Sequence, residues 1–135
     1  MTTPHRIVHP DDLAPAVGFS HGVVAGPGRT LQVAGQIAVD AHGVVVGDDF
    51  ATQFGVALGN VVSVVRAAGG EPHHITAMNV YTTDIDGYRS ARRSLGAVWR
   101  RHMGLHFPAM ALLGVAALVE PGALVEITAT AVVPD

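Results

Sequence analysis

The fold of this chain is decided by HFPAMALLGVA, residues 106–116, and LVEITAT, residues 124–130. Both stretches are apolar and rich in residues that favour strands. Pro121 and Gly122 lie between them and preset the backbone angles that a chain reversal needs. We therefore expect two strands joined as a hairpin.

Glu126 stands out because it is the one glutamate inside an apolar strand. Its neighbours Val125 and Ile127 belong to the apolar face, whereas Glu126 shares the other face with Thr128. The remaining two glutamates lie next to turn prolines. An unpaired charge inside an apolar strand is costly, so Glu126 is predicted to have a partner or a chemical role.

Length and composition indicate one domain. With 135 residues and 49% hydrophobic content, residues 1–135 are expected to share one core, and residues 1–17 to form an N-terminal strand and loop. No apolar run approaches the roughly 20 residues of a membrane helix, and the first residues lack the hydrophobic region of a signal peptide. We therefore expect a cytoplasmic protein with no membrane partner.

The residue types that are absent exclude several kinds of chemistry. The chain has neither cysteine nor lysine, which excludes disulfides, thiolate nucleophiles and a Schiff base on an ε-amine. A net charge of −3 and an aromatic content of 5% argue against a nucleic-acid partner, which needs positive charge and stacking side chains. Neither His73 with His74 nor His102 with His106 has metal-ligand spacing, so no metal is predicted.

Four further strands are predicted before this stretch. Residues 19–25 and 30–39 are strand-like, and Gly26-Pro27-Gly28 between them predicts a hairpin. Residues 75–82 are predicted to form a central strand because they are apolar and rich in strand-favouring residues. A short first strand is also possible over residues 6–8.

Two helices are predicted from caps and from apolar residues three or four positions apart. The first begins at Asp48 or Asp49, whose carboxylates can accept hydrogen bonds from the free amides of a first turn, and it ends at Gly69. The second begins after Asp84 or Asp86. Each helix has a single apolar stripe to bury.

The main elements follow in the order β-β-α-β-α-β-β. This order predicts an α+β domain with both helices on one face of a mixed sheet. The other face of the sheet still carries apolar residues, including Leu124 and Val132. A chain of this length has no third layer to cover that face, so self-association is expected.

Arg92 differs from the other arginines of the second helix. Arg89, Arg93 and Arg100 project away from the apolar side and are expected to be solvated. Arg92 lies at the edge of the apolar stripe near Trp99, where it can reach a pocket or a neighbouring subunit. A surface salt bridge is the alternative interpretation.

A series of short motifs runs along nearly the whole chain from Gly18 to Val133. They are GFSHGV (18–23), VAGQI (33–37), Gln53 with NVV (60–62) and AAG (67–69), VYTTDI (80–85), FPA (107–109) and VEI (125–127). Each motif alone is weak, but in this order the chain resembles the Rid (YjgF) family of reactive-intermediate deaminases. The resemblance implies a chorismate-mutase-like α+β fold and a barrel-like homotrimer with three pockets in the clefts between subunits.

The resemblance also implies hydrolysis of imines or enamines to a ketone and ammonia, without a cofactor. In the family, an arginine directly after the Phe-Pro-Ala sequence anchors the substrate carboxylate, and here that position is Met110. Losing such a charged pair in a closed site costs about 2–5 kcal/mol, so we expect an atypical substrate. The alternative interpretation is that Met110 fills a gap at the start of a strand.

The other family positions carry over unevenly. Glu126 matches the family's acidic position and is the predicted catalytic residue. Phe19 stands where a tyrosine is usual, and Ala34 replaces a common serine. His21 lies close to the hairpin that borders the family's pocket, although a surface imidazole is the alternative. The predicted substrate-binding residues are Phe19, His21, Ala34, Gly35, Arg92, Met110, Ala111 and Leu112.

Two functions remain open after these observations. The first is an enzyme that hydrolyses a reactive imine, enamine or related small carbonyl compound, with Glu126 transferring protons. The second is a non-catalytic trimer that binds a metabolite or a partner in its inter-subunit clefts. Both place a ligand between subunits, and neither requires a cofactor.

Overall fold

A computed structural model describes residues 2–135 and has the predicted α+β architecture. The strands and α-helices are β1 (Arg6–Val8), β2 (Gly22–Val24), β3 (Arg29–Ile37), α1 (Phe50–Ala67), β4 (Ile75–Thr82), α2 (Ile85–Met103), β5 (Ala109–Gly114) and β6 (Val125–Val133), with a short 3-10 helix at Pro72–His74. The short first strand and both helices therefore lie where the sequence predicts them.

The main sheet has four strands in the order β3-β6-β4-β5. β6 pairs antiparallel with β3 and β4, whereas β4 and β5 are parallel, so the sheet is mixed as predicted. β4 has a neighbour on each side, which confirms that it is a central strand. β1 and β2 form a separate antiparallel pair.

The two predicted hairpins are wrong. β4 lies between β5 and β6 in the sheet. The segment that joins β5 to β6 therefore crosses over β4. β5 instead pairs parallel with β4, and helix α2 is the crossover that connects these two strands. β2 likewise pairs with β1 and not with β3. The Gly26 amide donates a hydrogen bond to Nδ1 of His5 at 2.9 Å, and this bond holds the turn against the N-terminal segment.

α1 is fixed by its cap and by its buried stripe. The Asp49 carboxylate accepts a hydrogen bond from the Thr52 amide at 2.8 Å, and Gly69 follows the helix with φ +84°. By length and composition alone α1 could cross a membrane, but a core helix passes the same test. Its apolar side is buried in the core at Phe50, Phe54, Ala57, Leu58, Val61, Val62 and Val65.

α2 begins at Asp84, whose carboxylate accepts a hydrogen bond from the Gly87 amide at 2.9 Å. Only Trp99 and Met103 of this helix are buried. The Trp99 indole stacks on Phe107 with ring centroids 5.7 Å apart and donates a hydrogen bond to the His106 carbonyl at 3.0 Å. These contacts hold the end of α2 against the segment that leads into β5.

Gln53 connects α1 to two loops at the same end of the sheet. Its side chain is 1% exposed. The amide nitrogen donates to the Gly47 and Gly122 carbonyls at 3.0 and 2.8 Å, and the amide oxygen accepts from the Leu124 amide at 2.8 Å. The loop before β6 is therefore positioned by a buried polar side chain whose bonds are all made within the protein.

We predict that Gln53→Leu lowers the free energy of unfolding by about 2–4 kcal/mol. Leucine keeps the volume, but it leaves the Gly47 carbonyl, the Gly122 carbonyl and the Leu124 amide without their partner, at about 1–3 kcal/mol for each group that stays buried. Urea denaturation followed by circular dichroism measures the change.

Gln36→Leu is the matched control, because the Gln36 side chain makes one exposed hydrogen bond to the Ala34 carbonyl at 3.2 Å. Its expected cost is at most about 0.5 kcal/mol. Equal losses for the two variants would mean that the Gln53 network does not stabilise the fold.

Candidate functional site

Glu126 lies in the middle of the sheet, on the face away from the helices. It is half-buried in β6, opposite Ile37 of β3 and Tyr81 of β4. Directly opposite residues in a sheet share a face, so Tyr81 and Glu126 are side by side. Val125 and Ile127 on either side of Glu126 are fully buried in the core.

Gly35 makes room for the Glu126 carboxylate. The β3–β6 ladder shifts register between Val33 and Gln36, so that Ala34 and Gly35 form a bulge in β3. A Cβ on Gly35 would lie 2.8 Å from Glu126 Cδ and would overlap the carboxylate. Because only glycine lacks that atom, the bulge and Glu126 form one local unit.

Polar side chains that the sequence analysis did not select flank Glu126. Asn79 and Tyr81 alternate with the buried Met78 and Val80 along β4, and Asn79 is opposite Thr128. These three polar residues share the open face with Glu126. The alternation of polar and buried residues within residues 75–82 is the sequence signal for this face of β4.

Met110 lies on the other face of the sheet. It pairs with Met78, which is 1% exposed, and it packs with Leu112 against the core beneath the helices. Met78 and Tyr81 are an odd number of residues apart along β4 and therefore point to opposite faces. One copy of the chain thus keeps Met110 and Leu112 apart from Glu126, whereas Ala111 between them is exposed.

Phe19 and His21 are near the start of β5. The Ser20 amide donates to the Pro108 carbonyl at 3.0 Å, and the Ser20 hydroxyl donates to the Phe107 carbonyl at 2.5 Å. The Phe19 ring meets the His21 ring edge-on with centroids 5.5 Å apart. The segment that carries these two rings is therefore attached to the strand of Met110 and not to the strand of Glu126.

The predicted site residues thus fall into separate groups. Ala34, Gly35 and Glu126 lie together at the β3 bulge. Phe19, His21, Met110, Ala111 and Leu112 lie along or beside β5. Arg92 is exposed on α2 and makes no ion pair within residues 2–135.

The Glu126 group is suited to acid–base catalysis and hydrogen bonding. A carboxylate next to a tyrosine can accept a proton and bind a hydroxyl or an amine. Within residues 2–135, no group of three or more histidine or acidic side chains is arranged to hold a metal ion.

Comparison with protein families extends the resemblance found in the sequence. Residues 10–133 match the family model described as Endoribonuclease L-PSP. The structure is similar to that of YyfB from Yersinia pestis, described as a protein of unknown function of the conserved Rid protein family. The two chains are 33% identical over 96% of this chain and 98% of that one, with a TM-score of 0.85. No curated protein matches.

Two further solved structures have the same architecture. Rv2704 from Mycobacterium tuberculosis, a member of the YjgF/YER057c/UK114 family, is 33% identical over 87% of this chain and 88% of that one, with a TM-score of 0.63. RidA from Psychrobacter sp. PAMC 21119 is 27% identical over 95% and 99% of the two chains, with a TM-score of 0.66. The resemblance predicted from the sequence is therefore confirmed, and this chain belongs to the Endoribonuclease L-PSP family, the Rid or YjgF/YER057c/UK114 proteins.

Proposed function

We propose that this chain is a homotrimeric Rid-family protein that hydrolyses a small reactive imine, enamine or related carbonyl compound in pockets between its subunits. The observation that carries the proposal is the Glu126 carboxylate, half-buried over Gly35 in a chain of this family. Family membership supports a small-molecule function, and the position of Glu126 supports proton transfer as its chemistry. The proposed location is the cytoplasm.

A pocket between subunits follows from the separation of the two groups of site residues. Met110 and Glu126 lie on opposite faces of one sheet, so they can line one pocket only if different copies supply them. β3 and β5 are the two edges of the sheet. If the β5 edge of one copy packs beside the β3 edge of the next, the contact is head-to-tail and can close into a ring.

The proposed reaction is the addition of water to a C=N bond. Glu126 accepts a proton from the water as its oxygen attacks the imine carbon, and the proton passes to the nitrogen. The C–N bond of the resulting amino alcohol then breaks as the hydroxyl proton moves, through Glu126, to the leaving nitrogen, which yields the carbonyl compound and ammonia. No electrons are exchanged with a cofactor, so none is proposed.

The apolar residues on β5 support an uncharged substrate. Met110 and Leu112 face the same side of β5 and offer no charged donor to a carboxylate. A substrate whose group at this position is apolar loses less hydration on binding than a carboxylate without a partner would.

The second candidate function is a trimer that binds a metabolite or a partner without catalysis. The observation that favours it is again Met110, because the chain lacks the arginine that the family resemblance leads one to expect at this position. The two functions differ in turnover, which the next experiment measures.

We predict that Glu126→Gln abolishes ammonia release above the spontaneous rate. Glutamine keeps the shape of the side chain but cannot accept the proton, and general acid–base groups typically contribute about 10²–10⁴-fold. Imines without a carboxylate, generated in place by an amine oxidase, are compared with imino acids generated by an amino-acid oxidase. Glu120→Gln, at an exposed turn, is the matched control and is expected to keep the wild-type rate. Equal rates for both variants would exclude Glu126, and no turnover of either substrate class by wild type would favour the binding function.

We predict that Met110→Arg gains affinity for small carboxylates by at least tenfold. A guanidinium at this position can form a charge-assisted pair with a carboxylate, whereas a thioether cannot. Isothermal titration calorimetry with pyruvate as the probe measures the gain, and Met110→Leu is the control that keeps the position apolar. A folded arginine variant that binds no pyruvate would show that Met110 does not line the ligand pocket.

We predict that Leu113→Glu shifts the protein from trimer towards monomer. Leu113 is 46% exposed on the edge strand β5, opposite Tyr81, and a charge there opposes packing against another strand edge. Light scattering after size exclusion should give three times the 13.9 kDa chain mass for wild type. Val119→Glu, at a loop position that is 99% exposed, is expected to stay trimeric. A monomeric wild type would overturn the inter-subunit site.

A further inference from the structure

A cleft of about 940 Å³ opens at the end of the molecule where both helices finish. The N-terminal segment forms one wall of it, and the 3-10 helix and the ends of α1 and α2 form the others. Gly35, Met110 and Glu126 do not line it. The cleft therefore does not include these three residues of the proposed function, although the His9 ring in it lies 3.1 Å from the His21 ring, between their Nδ1 atoms.

The cleft collects cationic and imidazole side chains in a chain whose net charge is −3. Its polar lining includes Arg66, Arg101, His9, His73, His102 and His106. No aspartate or glutamate lines it within residues 2–135. Half of the eight histidines of the chain and two of its eight arginines thus face one space.

The two arginines are available to a ligand. Arg101 makes no ion pair within residues 2–135. Arg66 has one exposed ion pair, from Nε to the Glu71 carboxylate at 3.4 Å, and its side chain is 59% exposed. Both arginines are in the last turns of their helices, where they also offset the negative ends of the helix dipoles.

One of the imidazoles can add a directional donor to this positive region. His106 Nε2 donates its N–H to the Ile75 carbonyl at 2.6 Å, because a carbonyl can only accept, so that N–H does not serve a ligand. Burial, followed by the charges of Arg101 and Arg66, lowers the pKa of His102. Arg66, Arg101 and His102 line the same cleft, and an imidazole can donate one N–H to a ligand there.

Apolar side chains form another part of the lining. Ile7, Met103, Leu105 and Phe107 contribute to it, and Phe107 is held in place by its stack on Trp99. Leu105 is 83% exposed. A ligand that fits this lining has an apolar body as well as a charged group.

We propose that this cleft binds a small organic anion, with its carboxylate or phosphate group between Arg66 and Arg101 and its apolar body against Leu105 and Phe107. This goes beyond the proposed function, since it assigns a second ligand site that does not use Glu126. A phosphate and a carboxylate share the chemistry that the arginines recognise. The probes below distinguish them.

The test uses titration calorimetry of the full-length protein at about pH 7 with four probes. 2-Naphthoate and 2-naphthyl phosphate carry both an anionic group and an apolar body, whereas naphthalene-2-carboxamide lacks the charge and inorganic phosphate lacks the body. We expect at least one of the two naphthyl anions to bind at least tenfold more tightly than both the carboxamide and inorganic phosphate. The tighter of the two naphthyl anions identifies the anionic group.

Two double variants are compared. The first combines Arg66→Gln with Arg101→Gln, and the control combines Arg93→Gln with Arg100→Gln. The control arginines are exposed on α2 and do not line the cleft. We expect the first pair to weaken binding of the naphthyl anion at least tenfold and the control pair to leave it within twofold. If the first double variant does not fold, Arg101→Gln alone is expected to weaken binding at least threefold.

Amide chemical shifts locate the probe on the wild-type protein. The expected shifts are at Arg101, Gly104 and Leu105, with none at Gly35 or Glu126. The proposal is overturned if neither naphthyl anion binds at millimolar concentration, if both double variants lose affinity equally, or if the shifts map to the β3 bulge.

Discussion

The structure depends on β6 pairing with two strands at once. β6 is antiparallel to β3 on one side and to β4 on the other, so both halves of the sheet are held through it. Its residues Val125, Ile127 and Ala131 are fully buried against the helices. A slip of one residue would move these side chains to the open face and Glu126 into the core, where an unpaired carboxylate is costly. The register that buries the apolar residues is therefore the same register that presents Glu126.

The helices could be predicted from the sequence because their signals are local. Asp49 and Asp84 cap the helices that they precede, and Gly69 follows the end of α1. Strand partners could not be predicted in this way. The turn before β6 exists, with Gly122 at φ +85°, and yet β5 pairs with β4. Turn chemistry fixes a local change of direction, whereas the partner of a strand is decided by which long-range contacts bury the most apolar surface.

The candidate site was predictable where a residue's own strand defines its environment. Glu126 is recognisable in the sequence because it is a charged residue between two apolar ones that are buried. The structure places its carboxylate over Gly35. The contribution of Tyr81 depends on the register between β4 and β6, which no local pattern specifies. The opposite orientation of Met110 depends likewise on the pairing of β5 with β4. Sequence motifs predict candidate residues, but they do not specify which of them one copy of the chain brings together.

The cleft that contains Arg66 and Arg101 could not be predicted from the sequence, because its residues are far apart along the chain. His102 and His106 lack the spacing of metal ligands in the sequence. In the structure they line the cleft together with Arg66 of the other helix. This cleft lies near the beginning of β4, where the Ile75 carbonyl accepts from His106, and Glu126 is opposite Tyr81 near the end of β4. Six residues of extended strand span about 20 Å. That distance exceeds the Debye length of about 8 Å at physiological salt, so the two sites are screened from each other's charge. Any coupling between them would have to pass through packing along β4, which is paired with a strand on each side and has little freedom to shift.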